Sequence, residues 1–504
     1  MGQETMAALL PPKHTPKICY LEAPLSTRTL AEHQLVLVVA DDNSKKTLLR
    51  QCPRGPELLR QLQQLGDQAT TSILHLSANQ QGGGVLLIFV KNGLSSFEQL
   101  QTAAKLWKAA SSHRAESIAL GTLGLDTQES KAVLNSLLAA VLAGTAALPT
   151  YKQTPVSQPL KTLSLLDGTA EAFATTLATH TGNHLARWLT SLPPNELDCV
   201  SYRRAMQQLA KAQGWQAEFI NLAALKKHKA GAFLAVARAN GHGNAGIMRL
   251  SYRSKATKGK RRYKLALVGK GICFDTGGIN LKSHKSMVDM HTDMQGSAVA
   301  VGTLVALSQL NAAVDIDCWL ALTENEIGAQ AYRPQEVITA ANGVTIQVIH
   351  SDAEGRMALA DTLTVAAKQQ PDLMLDFATL TGACIGALTE RMSGAFSNRT
   401  QLRDVIESAG RQSGERVWNF PMDPDFDTDL DSPVADIMQC TMDSKGDHIL
   451  AARFLNRFVP ETIPWVHIDL SSGSKIGGLA HIPSDITGFG VRWAVEFISQ
   501  YSFN

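Results

Sequence analysis

The stretch IHSDAEGRMALAD, residues 349–361, decides how this chain is read. It closes an apolar run, VTIQVI (344–349), which reads as a buried strand, and the MALADTLTVAAK beyond it reads as a helix. Between them, Asp352, Glu354 and Arg356 alternate with the small Ala353 and Gly355. An unpaired charge at the tip of a buried strand is costly. Two carboxylates and a guanidinium placed there imply a partner that offsets them. A strand running into a helix through such a tip is the building unit of an α/β fold.

The same form occurs upstream. In KLALVGKGICFD (264–275) the apolar LALV leads to Lys270 and Asp275; the Gly277–Gly278 pair and then Lys282 follow. Asp289 and Asp293 lie in MVDMHTDMQGSA (287–298), which runs into the helical AVAVGTLVALSQL. The glycines permit tight turns and close approach to a ligand, but they do not match a nucleotide phosphate loop. Asp275, Asp293, Asp352 and Glu354 each end a strand-like run or sit in the loop after it. In open α/β sheets such ends converge on one crevice. A single aspartate of this kind is ordinarily a helix cap or turn former. Four carboxylates in one crevice repel unless cations neutralise them. Oxygen-rich sites suit divalent ions, and bridging carboxylates suit a pair of them. Lys282 or Arg356 could then polarise a carbonyl or hold an anion. Lys270, beside dications, could lose its proton and ligate one. His291 and His350, each taken alone, read as surface or outer groups, and Ser283 and Ser286 lack a nucleophile elbow.

A length of 504 residues implies two to four domains. With 44% apolar and 18% charged residues, the chain is no disordered polymer. Its 47 basic and 45 acidic residues leave a net charge of +2, no field to gather a polyanion. The seven cysteines (19, 52, 199, 273, 318, 384, 440) contain no CxxC and read as reduced, mostly buried thiols. MGQETMAALLPPKHTPK is no signal peptide, and LLAAVLAGTAAL (137–148) is too short to span a bilayer. A cytoplasmic protein with no membrane partner is expected. Strand-like HQLVLVVA (33–40), GGVLLIFV (83–90), ESIALGTLG (116–124) and KTLSLLD (161–167) alternate with helical 97–113 and 128–146. We expect a small N-terminal α/β domain at 1–165. A connecting helix at 166–197 should end at LPPNELD, where prolines stop it, and a larger α/β domain at 198–504 should follow. The basic KATKGKRRYK (255–264) reads as a solvated loop rather than a nucleic-acid patch, because no aromatic row accompanies it.

GKGICFDTGGINLK (269–282), DMHTDMQGSA (289–298), SDAEGRMALAD (351–361) and ATLTGA (378–383) together resemble the leucyl aminopeptidase, or cytosol aminopeptidase, family. LPPNEL (192–197), AYRPQEVITAANG (331–343) and ERVWNFPM (415–422) add to the resemblance, which spans roughly 185–500. It implies a macro-like N-terminal domain, a catalytic domain with a central mixed sheet flanked by helices, and a homohexamer. It also implies hydrolysis of N-terminal peptide bonds through a water bridging two divalent ions, zinc or manganese, with cobalt or magnesium as alternatives. By the same resemblance Lys270, Asp275, Asp293, Asp352 and Glu354 are metal ligands. Lys282 binds the scissile carbonyl oxygen, and Arg356 holds a bicarbonate that acts as general base. Met290, Thr379, Leu380, Gly382 and Ser471 line the substrate pocket. The substrates implied are peptides with a free N-terminus. A DNA-binding or structural member with little peptidase activity is the alternative. The chain departs from the family at His350–Ser351, where Asn-Thr is usual, at Met357 and at His291. Ser471, Ser472 and Ser474 in HIDLSSGS (467–474) predict a more polar pocket wall, which argues against a strict leucine preference.

Overall fold

Strands Lys17–Leu21 (β1), Leu35–Asp41 (β2), Ile73–Leu76 (β3), Gly84–Val90 (β4), Ser117–Leu123 (β5) and Thr162–Leu166 (β6) form the first sheet in the computed structural model of the chain. Their order is β1-β6-β5-β2-β4-β3, with every pair parallel except β3 and β4. β2 and β4 are buried at every position, the signature of a parallel sheet covered on both faces. The structure describes residues 9–12, 16–22, 25–66, 72–76, 83–153, 160–241, 243–255, 262–443 and 445–503. Positions 256–261 of the basic tract, 154–159 of the polar break and the first eight residues lie outside them.

Helix Ala170–Thr190 leads out of the first sheet. It packs on helix Thr127–Thr145 behind it and on helix Gln295–Gln309 ahead. Arg187, 1% exposed, reaches Ala143 O through its terminal nitrogens and Ser484 Oγ through Nε. Asn183 donates to Thr487 O and Gly488 O at 2.9 and 3.0 Å. This helix is therefore keyed by polar contacts to segments on both sides of it.

The remaining strands are Gln216–Asn221 (β7), Gly246–Tyr252 (β8), Lys264–Asp275 (β9), Asp315–Asn325 (β10), Val337–Thr339 (β11), Thr345–Gln347 (β12), Leu373–Ala378 (β13), Ser393–Ser397 (β14), Val417–Asn419 (β15), Ile437–Met438 (β16) and Trp465–Asp469 (β17). Eight of them form a mixed sheet in the order β15-β14-β17-β13-β9-β10-β8-β7, flanked by helices as expected. β9 sits centrally and parallel to both neighbours, β13 and β10. Its alternation assigns its faces: Leu265 and Leu267 join the core with helix Gln295–Gln309, while Ala266 and Val268 join the opposite core with helix Glu354–Ala367. Both helices are buried along nearly their whole length.

VTIQVI does not enter this sheet. Only Thr345–Gln347 is a strand, and it pairs with β11 and β16 in a separate three-stranded sheet. Val348 is bonded instead to Gln335 N and Glu336 O, and Ile349 N to the Gln439 side chain. Apolar composition made the run look like a core strand, yet its strand pairing ends at Gln347, and Val348 and Ile349 bond to loops. Among the described residues no helix is long and apolar enough to cross a membrane. All seven cysteines are free thiols; six are buried and Cys19 is half-buried.

Candidate metal centre

Asp275 is the last residue of β9, so its carboxylate emerges at the C-terminal edge of the central sheet. The chain turns at once through Gly277 and Gly278, whose φ values of 86° and 66° disfavour any side chain. Asp275 Oδ1 accepts from Gly277 N at 2.9 Å and from Asn325 Nδ2 at 2.8 Å. Asn325 ends the neighbouring β10 and stands in register with Asp275. Lys282 returns over this turn, its backbone N–H on Thr276 O. Its Nζ lies 2.8 Å from Asp275 Oδ2 and 2.5 Å from Asp352 Oδ1.

Asp293 comes from the 3-10 turn Met290–Met294, just ahead of helix Gln295–Gln309. Thr379 Oγ1 donates to its Oδ1 at 2.7 Å. Glu354 is the first residue of helix Glu354–Ala367 and is 1% exposed. Lys270, in the second half of β9, places Nζ 2.8 Å from Asp293 Oδ2 and 3.0 Å from Glu354 Oε1, and donates to Thr379 O at 3.0 Å. Gly355 makes room for it: a β-carbon there would stand 2.5 Å from Lys270 Cε. Oxygens of Asp275, Asp293 and Glu354 lie within 4.8 Å of one another. The expected four carboxylates and two lysines thus meet in one place. The acids come from a strand end, a 3-10 turn, a loop and a helix start.

Electrostatics and donor chemistry decide what this cluster suits. Burial, then the Asp275 carboxylate, pushes Glu354 up to about 8 despite the ammonium groups. Burial likewise raises Asp293 to about 6 against the pull of Lys270, and burial and Asp275 raise Asp352. Burial opposes the Lys270 ammonium, but Asp293, Glu354 and Asp275 outweigh it and hold its pKa above the ordinary lysine value. Lys282 is raised in the same way by Asp275 and Glu354. Glu354 Oε2 is buried with no hydrogen-bond partner among the described residues. Asp293 Oδ2 and Asp352 Oδ1 have ammonium neighbours within contact distance but no aligned hydrogen bond. Four carboxylates facing two ammonium groups, with an orphaned buried oxygen among them, form a donor set that fits hard divalent cations.

The raised carboxylates fix the sign of a pH effect. The folded chain keeps the Glu354 proton up to about pH 8, whereas an unfolded chain loses it near 4.5. Stability from this group is therefore complete below 4.5 and is lost as pH rises towards about 8. Each retained proton changes the unfolding free energy by roughly 1.4 kcal/mol per pH unit across that window. Metal-stripped protein should melt at falling temperature as pH rises through this range. Metal-loaded protein should not follow it, because a bound cation holds the carboxylate ionised. Parallel melting curves for stripped and loaded protein, read by calorimetry, would contradict the ligand role of Glu354.

Arg356 lies two residues on, 2% exposed. Its NH2 stands 2.9 and 2.8 Å from the two carboxylate oxygens of Asp447, and NH1 donates to Gln439 O at 3.1 Å. Nε is buried without a partner among the described residues. Burial works against this cation too, but Asp447 outweighs it and its pKa is raised.

The pocket residues divide. Met290 belongs to the same 3-10 turn as Asp293, and Thr379 touches both Asp293 and Lys270. Leu380 N donates to Asp469 Oδ1 at 3.0 Å, and Gly382 opens helix Gly382–Leu388. Ser471 is buried and donates to Met392 O at 2.7 Å. Its hydroxyl is thereby committed to the chain's own carbonyl, which removes it as a free donor from the expected polar wall. His350 Nδ1 accepts from Asp352 N at 3.2 Å and so braces the acidic turn. Sequence reasoning missed Asn325, Tyr332, Gln439 and Asp447. Tyr332 donates to Ser351 O at 2.7 Å and Gln439 Oε1 accepts from His350 N, together holding the loop before Asp352. Asn325 had a signal, the polar end of an apolar strand; Asp447, 91 residues from Arg356, had none.

Comparisons with known proteins agree in one direction. The family described as cytosol aminopeptidase, catalytic domain, matches residues 184–495. A "Probable cytosol aminopeptidase" of Rhodopseudomonas palustris (strain TIE-1) is 39% identical over 345 residues, covering 68% of this chain and 67% of that protein. One of Corynebacterium diphtheriae is 38% identical over 318 residues, 63% of this chain and 62% of that protein. Among solved structures, a mutant of tomato leucine aminopeptidase is similar with TM-score 0.82 at 28% identity, covering 98% of each chain. The bottromycin maturation enzyme BotP in complex with Mn gives TM-score 0.79 at 25% identity, over 92% of this chain and 98% of that one.

Proposed function

The chain belongs to the cytosol aminopeptidase family, and on that premise we propose that it is a metal-dependent aminopeptidase that hydrolyses the N-terminal bond of peptides with a water bridging two divalent ions. The observation that carries this reading is the buried cluster of Asp275, Asp293, Asp352 and Glu354 with its uncompensated charge and the orphaned Glu354 oxygen. Lys270 and these four carboxylates would hold the ions. Zinc or manganese is our first choice, with cobalt or magnesium as alternatives; BotP was solved with Mn. When bound, the ions would supply an activated water and polarise the scissile carbonyl.

The chain's own residues do the rest. Lys282, whose side chain is 14% exposed where that of Lys270 is 4% exposed, offers its ammonium to the oxyanion that develops on the carbonyl. Thr379 orients Asp293, and Met290, Leu380, Gly382 and Ser471 shape the wall beside the first side chain. Bicarbonate does not fit Arg356 in this chain, because Asp447 already occupies the guanidinium, and no step is derived through it. We read the protein as cytoplasmic and hexameric by its family, with residues 1–165, 166–197 and 198–504 as N-terminal, connecting and catalytic parts. The intact acid–lysine set favours an enzyme over a purely structural or DNA-binding member.

The test uses protein stripped with chelator and then given Mn²⁺, Zn²⁺, Co²⁺ or Mg²⁺. Aminoacyl-p-nitroanilides and dipeptides should be cleaved only with metal and only when the amine is free. Equal cleavage of N-acetylated substrates, or two bound ions with no turnover of any substrate, overturns the reading.

A further inference from the structure

Arg356 is a fully enclosed cation, and an enclosed cation needs an anion beside it. We propose that Asp447 is the resident anion of the Arg356 site, built into the chain where an exogenous bicarbonate would otherwise sit. The inference rests on the aminopeptidase reading only in giving Arg356 a place beside the chemistry; the contact itself does not depend on it.

The guanidinium is closed off from solvent. NH2 lies against both oxygens of Asp447 at 2.9 and 2.8 Å, and NH1 is bonded to Gln439 O. Nε, the remaining nitrogen, has no partner among the described residues but is buried away from solvent. A small anion arriving from solution would have to displace Asp447 or stand beside its carboxylate, where like charges repel. Asp447 is held to this position from its own side as well. It is the first residue of helix Asp447–Asn456, with Gly446 at φ 62° setting the entry, and a helix start favours a negative charge.

The Asp447 side chain is 18% exposed, so the carboxylate keeps one edge towards solvent while Arg356 seals the other. Arg356 feels the charge of Glu354 in the carboxylate cluster as well as that of Asp447, so the anion seated on the guanidinium sets the charge beside that cluster, and the chain supplies that anion itself. The chain's activity is therefore independent of bicarbonate.

The experiment compares full-length, manganese-loaded wild type, Asp447→Ala and Asp447→Asn in buffer freed of carbon dioxide, with and without millimolar bicarbonate. Wild type should not respond. Asp447→Ala should lose turnover and regain it saturably with bicarbonate, because the variant opens the face that an anion can fill. Asp447→Asn keeps the face filled with a neutral amide, and its loss should not be restored. Carbon-13 bicarbonate line broadening on the metal-free proteins reads the site without catalysis: binding to Asp447→Ala, none to wild type. Saturable stimulation or binding in wild type overturns the proposal. So does a folded Asp447→Ala that binds no bicarbonate. Should Asp447→Ala not fold, the wild-type titration and restoration of Asp447→Asn by bicarbonate decide in the same sense. Absence of turnover with every metal counts against the aminopeptidase reading instead, and leaves the line-broadening arm to judge this one.

Discussion

Glu354→Ala should abolish metal uptake and peptide hydrolysis together. Glu354 is 1% exposed, its Oε1 faces Lys270, and its Oε2 has no partner among the described residues. Burial of an ionisable oxygen with nothing to bond is a cost that only a cation or a proton relieves. Alanine removes the donor and leaves Lys270 with one fewer counter-charge, so the remaining acids no longer converge on a shared centre. A ligand at a hundred times its dissociation constant stabilises the folded state by about 2.7 kcal/mol. Wild-type protein should therefore melt at higher temperature when metal is added, and the variant should show no such rise. Elemental analysis after dialysis, beside the melting curves, reads the result. Two ions retained per chain in Glu354→Ala would remove Glu354 from the ligand set.

How much of this site was legible in the sequence depends on where each contact partner lies. β9 runs over Lys264–Asp275, the same bounds as the apolar run picked out in the sequence, because apolar alternation on both faces and a charged end are local signals. The acids near its tip were legible for the same reason, since each sits at a visible break between apolar runs. VTIQVI carried the same apolar signal, but only Thr345–Gln347 is a strand and it joins the small sheet, because strand pairing is decided by neighbours that composition does not name. In the first third, helices Lys45–Gln51 and Gly55–Leu65 went unread, the first without an acidic first turn or a side-chain cap. Asp447 was invisible because its meaning comes from Arg356, far away in sequence. Ser471 shows the converse: its type suggested a polar pocket, but a hydroxyl bonded to Met392 O adds little polarity there.

Lys282→Ala should keep both ions and lower turnover by about 10²–10³-fold, the usual loss on removing one donor to a developing oxyanion. Lys270→Ala should instead lose metal. The two lysines differ in enclosure. Lys270 reaches Asp293, Glu354 and the Thr379 carbonyl from inside the cluster, pressed against Gly355. Removing it leaves facing carboxylates to repel one another in a buried space. Lys282 stands over Asp275 and Asp352, with more of its side chain exposed, so its loss leaves the inner donors arranged as they were. A split between binding and rate follows: Lys282→Ala should lower kcat and kcat/KM together at unchanged metal content, whereas added metal should partly restore Lys270→Ala. Metal lost from Lys282→Ala but retained by Lys270→Ala would mean that the ligand and the oxyanion donor are assigned the wrong way round.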